Sequence, residues 1–417
     1  MTDTETKNFS QNVSSSYHLE DRNKNVPKLR FKGYNEEWVE KRIEKVLKIK
    51  HGKDQKTIET KEGIYPILAT SGEIGRTNTF LCNKPSVLIG RKGTINKPQY
   101  MDTPFWTVDT LFYSDVFQEN NAKYLYYLFN TIKWKKYDES TGVPSLSAKT
   151  IERIKIKISN NTKEQEKIAS FLTLIDKKIE KQKELVELLK KYKRGLLSAI
   201  FSRKLRFKDE NRNNYPDWEE CRFDEIFQIL RNNTLSRECL NYTNVGVKNI
   251  HYGDILVKYN TCINDEIDKI PNINSDINLN KISDDNYLKV GDVILADTAE
   301  DYTVGKACEI VSCKVKILSG LHTIPCRPTQ NFAKGYLGYY LNSAEYHDKL
   351  IPLITGIKVS AISKKEIKKT IIKYPIYKEQ EKIANLLLLI DNKLNANIKK
   401  LELFETYQKG LLQQLFI

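Results

Sequence analysis

The chain has 417 residues, 40% of them hydrophobic, with 68 Lys and Arg against 53 Asp and Glu and a formal net charge of +15. That length sets an expectation of two or three domains with substantial cores, and no apolar run reaches the ~18 residues expected of a membrane-spanning helix. So large a cationic excess points to a polyanionic partner such as nucleic acid, or else to a lysine-rich solvated surface.

In chain order, residues 1–27 are polar and carry no apolar signal-peptide core, so a disordered tail is expected there. Lys28-Leu29-Arg30-Phe31-Lys32 then reads as an entry strand, with Trp38 as an aromatic anchor. Short apolar runs bounded by Gly, Asn and Pro predict strands at 86–89 and 110–113, and 123–130 predicts a helix. These make a first α+β domain over 28–160. A long helix follows over 161–203, opened by Thr162-Lys163-Glu164-Gln165, whose residue types match a capping box. The entry motif recurs as Lys204-Leu205-Arg206-Phe207-Lys208 with Trp218, and opens a second domain over 204–376. Strands are expected there at 292–295 and 307–311, and a helix at 334–341. A second long helix fills 377–417. Its start is marked by Pro375, which disfavours helix for the residue before it.

The two long helices are copies of one another. Lys163-Glu-Gln-Glu-Lys-Ile-Ala169 reappears 215 residues later as Lys378-Glu-Gln-Glu-Lys-Ile-Ala384, and 18 of the 35 positions from Lys163 to Leu197 are identical in the second copy. Such self-similarity defines a duplicated plan of variable block and helix, repeated once. Both copies carry an alternating 4-3 apolar seam, from Ile168 to Ile200 and from Ile383 to Leu415, as coiled-coil helices do. At 1.5 Å per residue each helix runs on the order of 50–60 Å. Polar seam residues recur at matched positions, Gln182 with Asn397 and Lys193 with Gln408. Antiparallel pairing about a pseudo-two-fold axis is expected to set Gln182 against Gln408 and Lys193 against Asn397. The fold class is therefore α+β: two globular α/β recognition domains in a pseudo-two-fold arrangement, joined by two long antiparallel coiled-coil helices. Within the blocks the two halves do not align, except near the exit, where Thr141-Gly142 and Leu146-Ser147 correspond to Thr355-Gly356 and Ile362-Ser363.

Catalytic signatures are missing. There is no phosphate-binding G-x-x-x-x-G-K-[ST] loop and no G-x-G-x-x-G after a strand. The five His show no metal spacing. The seven Cys are scattered without a C-x-x-C pair, as buried thiols of a reducing compartment would be. Asn96-Lys97-Pro98-Gln99-Tyr100 has the wrong spacing for the Asn-Pro-Pro-Tyr motif of amino-methyltransferases.

Twin Lys-Glu-Gln-Glu-Lys-Ile-Ala openings, the Ile175-Asp176 and Ile390-Asp391 pairs, the Gly195-Leu196-Leu197 and Gly410-Leu411-Leu412 ends, and the twin Lys-Leu-Arg-Phe entries all appear in this chain. With the Thr141-Gly-Val-Pro-Ser-Leu-Ser147 loop, they make residues 28–417 resemble the specificity subunit of a type I restriction-modification system. The second block departs at one point, since its loop from Thr355 to Ser363 is two residues longer and lacks the proline. The resemblance implies a non-catalytic, cytoplasmic DNA-recognition subunit. Each variable block would read one half of a split site in double-stranded DNA, with the helices as a ruler between them. It implies two modification (methyltransferase) subunits docked on the helices and restriction subunits joining them. It also implies no cofactor in this chain, with S-adenosylmethionine, ATP and Mg confined to the partners.

Base reading needs exposed donors and acceptors, and phosphate contacts need cations, hydroxyls and backbone N–H groups. In the first block the best match is Gly90-Arg91-Lys92-Gly93-Thr94, a tight turn at a strand end. Arg76, Lys97, Thr141 and Gly142 are further candidates. In the second block the run from Asp297 to Tyr302 is acidic where the first block is basic. A carboxylate there can accept from cytosine, although such runs more often form solvated turns. The candidates chosen are Thr298, Lys306, His322 and Lys358. The rival readings are a stand-alone DNA methyltransferase or nuclease with unrecognised motifs, and a coiled-coil adaptor without DNA preference.

Overall fold

A computed structural model describes residues 13–15, 25–243, 245–356 and 358–417. Of the tail expected over 1–27, residues 1–12 and 16–24 lie outside the described residues, while Val13–Ser15 pairs antiparallel with Leu29–Phe31. The chain divides into two compact units, Met1–Glu184 with Lys399–Ile417, and Leu185–Ile398. Two long helices run through the fold, a central one at Thr162–Phe201 and a terminal one at Tyr377–Leu415.

In the first unit, Leu47–Lys50, Leu111–Val116, Ser86–Gly90 and Gln99–Met101 form an antiparallel sheet in that order. Ser86–Gly90 is buried along its whole length, which explains its unbroken Val-Leu-Ile run. Gly72–Thr77, Tyr65–Ala69 and Trp106–Thr107 make a second sheet. Val39–Arg42 pairs with Lys155–Ile158, which delivers the chain to the central helix. The helix Ala122–Phe129, capped by the Asn121 side chain, buries Tyr124, Leu125 and Leu128. The core joins these residues to Ile168, Leu172 and Ile175 of the central helix and to Leu411, Leu415 and Phe416.

The second unit is built the same way with different contents. Phe227–Ile229, Thr323–Pro328, Val293–Ala296, Ala307–Ser312 and Cys262–Asn264 form its main sheet, with only the last pair parallel. Glu219–Arg222 pairs with Ile371–Tyr374 and delivers the chain to the terminal helix. Ile383, Leu387 and Ile390 share the core with Leu196, Ile200 and Phe201. A further lobe of four short strands packs Ile250 and Ile317 against Ile263, Ile294 and Ile310 of the main sheet.

Within each unit the start of one long helix packs antiparallel against the end of the other. In the first unit Lys183 pairs with Glu405 at 2.8 Å, and Gln408 donates to Asp176. In the second, Lys193 pairs with Asp391 at 2.5 Å. Antiparallel pairing holds, but each of these polar seam residues meets its partner six positions from the residue expected, Asp176 in place of Gln182 and Asp391 in place of Asn397. The physical reason is charge: the carboxylate of each Ile-Asp pair is a better acceptor for a half-buried amide or ammonium than another seam amide. A tyrosine completes each arrangement, with Tyr127 Oη donating to Asp176 at 2.5 Å and Tyr339 Oη to Asp391 at 2.8 Å.

The capping box expected at Thr162 is replaced. Asn161 Oδ1 accepts from the backbone N–H groups of Lys163 and Glu164. Glu164 and Gln165 turn inward instead. The Glu164 carboxylate accepts from Arg30 at 2.7 and 3.0 Å, from Trp38 Nε1 at 3.3 Å and from Ser159 Oγ at 2.6 Å. Glu379 accepts from Arg206 at 3.2 and 2.7 Å. Gln165 accepts from the Asn121 N–H and Gln380 from the Ala333 N–H. The repeated Lys-Leu-Arg-Phe motif therefore supplies a clasp arginine in each unit. Its second copy is not a strand: only Lys208 forms an isolated bridge, with Asn214.

Candidate nucleic-acid interface

In the first unit the fully buried strand Ser86–Gly90 runs out into the turn Arg91–Thr94. A Cβ at Gly90 would meet the Thr94 carbonyl oxygen, and Gly93 has φ +87°, so both glycines are required by the turn. The Arg91 N–H donates to the Thr110 carbonyl at 2.8 Å, and the Arg91 carbonyl accepts from Leu146 N–H at 2.9 Å. Lys92 bridges Ser145, and Gly93 N–H donates to the Pro144 carbonyl at 2.8 Å. The exit loop carrying Thr141 and Gly142 is thus stitched to the cationic turn. Lys92, Thr141 and Gly142 are exposed, while Arg91 and Thr94 are half-buried. The Arg91 guanidinium donates to the Asp109 carbonyl at 3.2 Å. Lys97 is exposed three residues beyond Thr94. Arg76 lies on the separate Gly72–Thr77 strand and pairs with Glu73 at 2.9 Å.

In the second unit Val293–Ala296 runs out into Asp297 and Thr298. The Asp297 N–H donates to the His322 carbonyl at 3.1 Å, and the Asp297 carbonyl accepts from Ile362 N–H at 2.9 Å. Thr298 pairs with Ala361. Thr298 Oγ donates to Asp297 Oδ1 at 2.8 Å and lies 3.3 Å from His322 Nδ1, which is 3.2 Å from Asp297 Oδ1. His322 holds φ +55°, an uncommon backbone state for a non-glycine residue. Lys358 is exposed on the loop that closes through the Thr355–Ala361 bridge. Lys306 is spent elsewhere: its ammonium donates to the carbonyls of Leu256 and Tyr259 at 3.0 and 3.2 Å, and burial lowers its pKa. Thr298, His322 and the Lys358 loop therefore come together, and Lys306 does not join them.

The type I restriction modification DNA specificity domain family matches residues 35–190. The MjaVIII specificity subunit of a type I restriction enzyme from Methanocaldococcus jannaschii is 24% identical, over 91% of this chain and 92% of its own length. Residues 35–190 thus carry a type I restriction modification DNA specificity domain, and along most of its length the chain is similar to a type I specificity subunit. The putative MjaX specificity subunit of the same organism is 25% identical over 48% of this chain and 45% of its own length. Among solved structures, the type I S subunit from M. genitalium superposes with a TM-score of 0.60 at 18% identity, covering 94% of this chain and 99% of its own. A chain from work on complex assembly and conformational transition of a type I system superposes at 0.51 with 14% identity, over 91% and 97%. Both share the fold.

Specificity subunits are non-catalytic, with catalysis in their partner subunits, and the family normally binds no cofactor itself. Among the described residues of this chain, no cluster of His, Cys, Asp or Glu is arranged to hold a metal, and no helix is long and apolar enough to cross a membrane. Sequence reasoning passed over two residues that border the His322 loop. Asn232 Nδ2 donates to the Gly320 carbonyl at 3.3 Å, and Lys364 Nζ donates to Asn232 Oδ1 at 3.0 Å. No local motif marks them. Only the register of the Ser363-capped turn, Lys364–Ile367, brings Lys364 there.

Proposed function

We propose that this chain reads a split site in double-stranded DNA, one half-site per unit, and so directs adenine methylation and DNA cleavage by partner subunits. The observation that carries this reading is the repetition of one scaffold around unlike loops: the same arginine clasp, Ile-Asp contact and strand-to-exit-loop ladder hold Arg91-Lys92 in one unit and Asp297-Thr298 in the other. A shared frame with different tips suits two readers of different sequences. Arg91, Lys92, Thr94, Thr141 and Gly142 are assigned to the first half-site, and Thr298, His322 and Lys358 to the second. Lys97 and Arg76 are left to phosphate contacts, which position a duplex without reading it. The chain's net charge of +15 suits the counterion release that drives such binding. The domain plan is a recognition domain at 28–160, a central helix at 161–203, a second recognition domain at 204–376 and a terminal helix at 377–417. The helices are the ruler that sets the gap between half-sites.

Two modification subunits dock on these helices, and restriction subunits join the assembly. In support, the first unit exposes Leu174, Leu403 and Tyr407, and the second exposes their repeat equivalents Leu389, Leu188 and Tyr192. An apolar set displayed once per unit suits two copies of one partner. S-adenosylmethionine, ATP and Mg belong to the partners, and the complex is cytoplasmic.

The test is to map methylated adenines in cells carrying the full complex, then to exchange residues 28–160 for the block of a relative. One half of a split motif is expected to change while the other half and the gap persist. Changes in both halves would refute the modular reading. S-adenosylmethionine binding by the isolated chain would favour the stand-alone methyltransferase.

A further inference from the structure

The backbone hydrogen bonds at these tips correspond residue for residue in the two units, although the sequences of the blocks do not align. In each, the first residue after the central strand donates its N–H to the residue just before the next strand: Arg91 to Thr110, and Asp297 to His322. In each, that residue's carbonyl accepts from the N–H of the residue immediately before the capping serine of the exit turn: Leu146 before Ser147, and Ile362 before Ser363. The next residue forms the bridge to the exit loop, Lys92 to Ser145 and Thr298 to Ala361. Arg91 is therefore the counterpart of Asp297, Lys92 of Thr298, and Thr110 of His322.

The chemistry at these counterparts is opposite. Arg91 offers only donors and Asp297, when ionised, offers only acceptors. In the second unit Thr298 and His322 both address Asp297 Oδ1, and Oδ2 has no partner among the described residues. The carboxylate is held in place with one oxygen unused. The left-handed backbone of His322, which allows its carbonyl to meet Asp297 N–H while its ring meets Asp297 Oδ1, is strain retained at that one point.

We propose that this ladder position sets base choice in each unit: Arg91 selects guanine in the first half-site, and Asp297, oriented by Thr298 and His322, selects cytosine in the second. The inference rests on the DNA-reading function proposed above. Guanine presents two acceptors, N7 and O6, that match a guanidinium fork. Cytosine presents a lone N4 amino donor that matches a carboxylate oxygen. Adenine sets its N7 acceptor beside the N6 donor, so a carboxylate placed there is repelled by one edge atom while it is bound by the other.

The test uses the full complex, with adenine-methylation mapping in cells and competition binding on duplexes altered at single base pairs. Asp297→Asn is expected to relax one cytosine of the second half-site and to leave the first half-site intact, with discrimination at that base falling about 5- to 150-fold. Arg91→Gln is expected to move one guanine of the first half-site towards adenine. A wild-type complex that methylates no split motif overturns both this inference and the proposed function. A split motif whose second half is unchanged by Asp297→Asn overturns the inference alone. Should Asp297→Asn fail to assemble, Arg91→Gln carries the test, and an unaltered first half-site overturns it.

Discussion

The two arginine clasps differ in one respect that makes a sharp comparison. Glu164 is fully buried and accepts from Arg30, Trp38 and Ser159. Glu379 is also fully buried, but Arg206 is its only side-chain donor among the described residues. Trp218, the counterpart of Trp38, leaves its buried indole nitrogen without a partner. Removing one member of a buried ion pair typically costs about 3–5 kcal/mol, because the other charge is stranded. After Arg30→Met, Glu164 keeps two neutral donors, and hydrogen bonds to a charged group are worth about 1.5–3 kcal/mol each. The loss should then fall near the bottom of the range, about 3 kcal/mol or less. After Arg206→Met, Glu379 keeps none, and the loss should be larger by about 1–2 kcal/mol. Native-state hydrogen exchange on the full chain reads each clasp separately, at amides of 162–172 and of 377–387. Equal losses, a larger loss for Arg30→Met, or either loss below about 1 kcal/mol would refute the assignment of these carboxylates to buried, donor-limited sites.

Two further outcomes are expected. Burial pushes the Glu309 carboxyl up to about 7 from an ordinary 4.5, against the N–H groups of Gly335 and Gly338 that favour its ionised form at 2.6 and 2.9 Å. Between those two values the folded chain holds a proton that the unfolded chain has released, so stability of the second unit falls as pH rises through the window and levels off above it. The contribution is on the order of 3 kcal/mol. Urea unfolding of Glu309→Gln across that range should lack this slope, and parallel curves for the two proteins would exclude it. In the seam, Gln408→Lys should give the first unit the ion pair that Lys193 and Asp391 already make in the second. Stabilisation of about 0.5–1 kcal/mol is expected in hydrogen exchange of the first unit, and destabilisation would break the equivalence.

Much of this fold was legible because its signals are local or periodic. The 4-3 seam located both long helices, and Val87-Leu88-Ile89 located a buried strand. The errors have a common cause. Thr162-x-x-Gln165 has the composition of a capping box, but tertiary contacts claim Gln165, and Asn161 takes over the cap. Lys204–Lys208 copies the letters of a strand, yet in the second unit the feature retained is the reach of Arg206 to Glu379. The seam pairing failed because seam residues were matched only with one another, whereas the Gln408 amide and the Lys193 ammonium settle on the carboxylates of Asp176 and Asp391.

The candidate site was legible in part for a related reason. A cationic turn between two glycines announces itself, so Arg91 and Lys92 were found. Lys306 likewise follows a glycine at the edge of an apolar strand, but its ammonium is consumed by two carbonyls, which no local pattern reveals. Asp297 was set aside because an acidic six-residue run such as Asp297 to Tyr302 resembles a solvated turn. Its equivalence to Arg91 exists only in the hydrogen bonds to His322 and Ile362, residues 25 and 65 positions away in the chain. Duplication makes that equivalence informative. When one scaffold is built twice and the residues that hold it are repeated, the positions where chemistry reverses on an unchanged backbone are the ones free to carry different information, and Arg91 against Asp297 is the clearest such reversal.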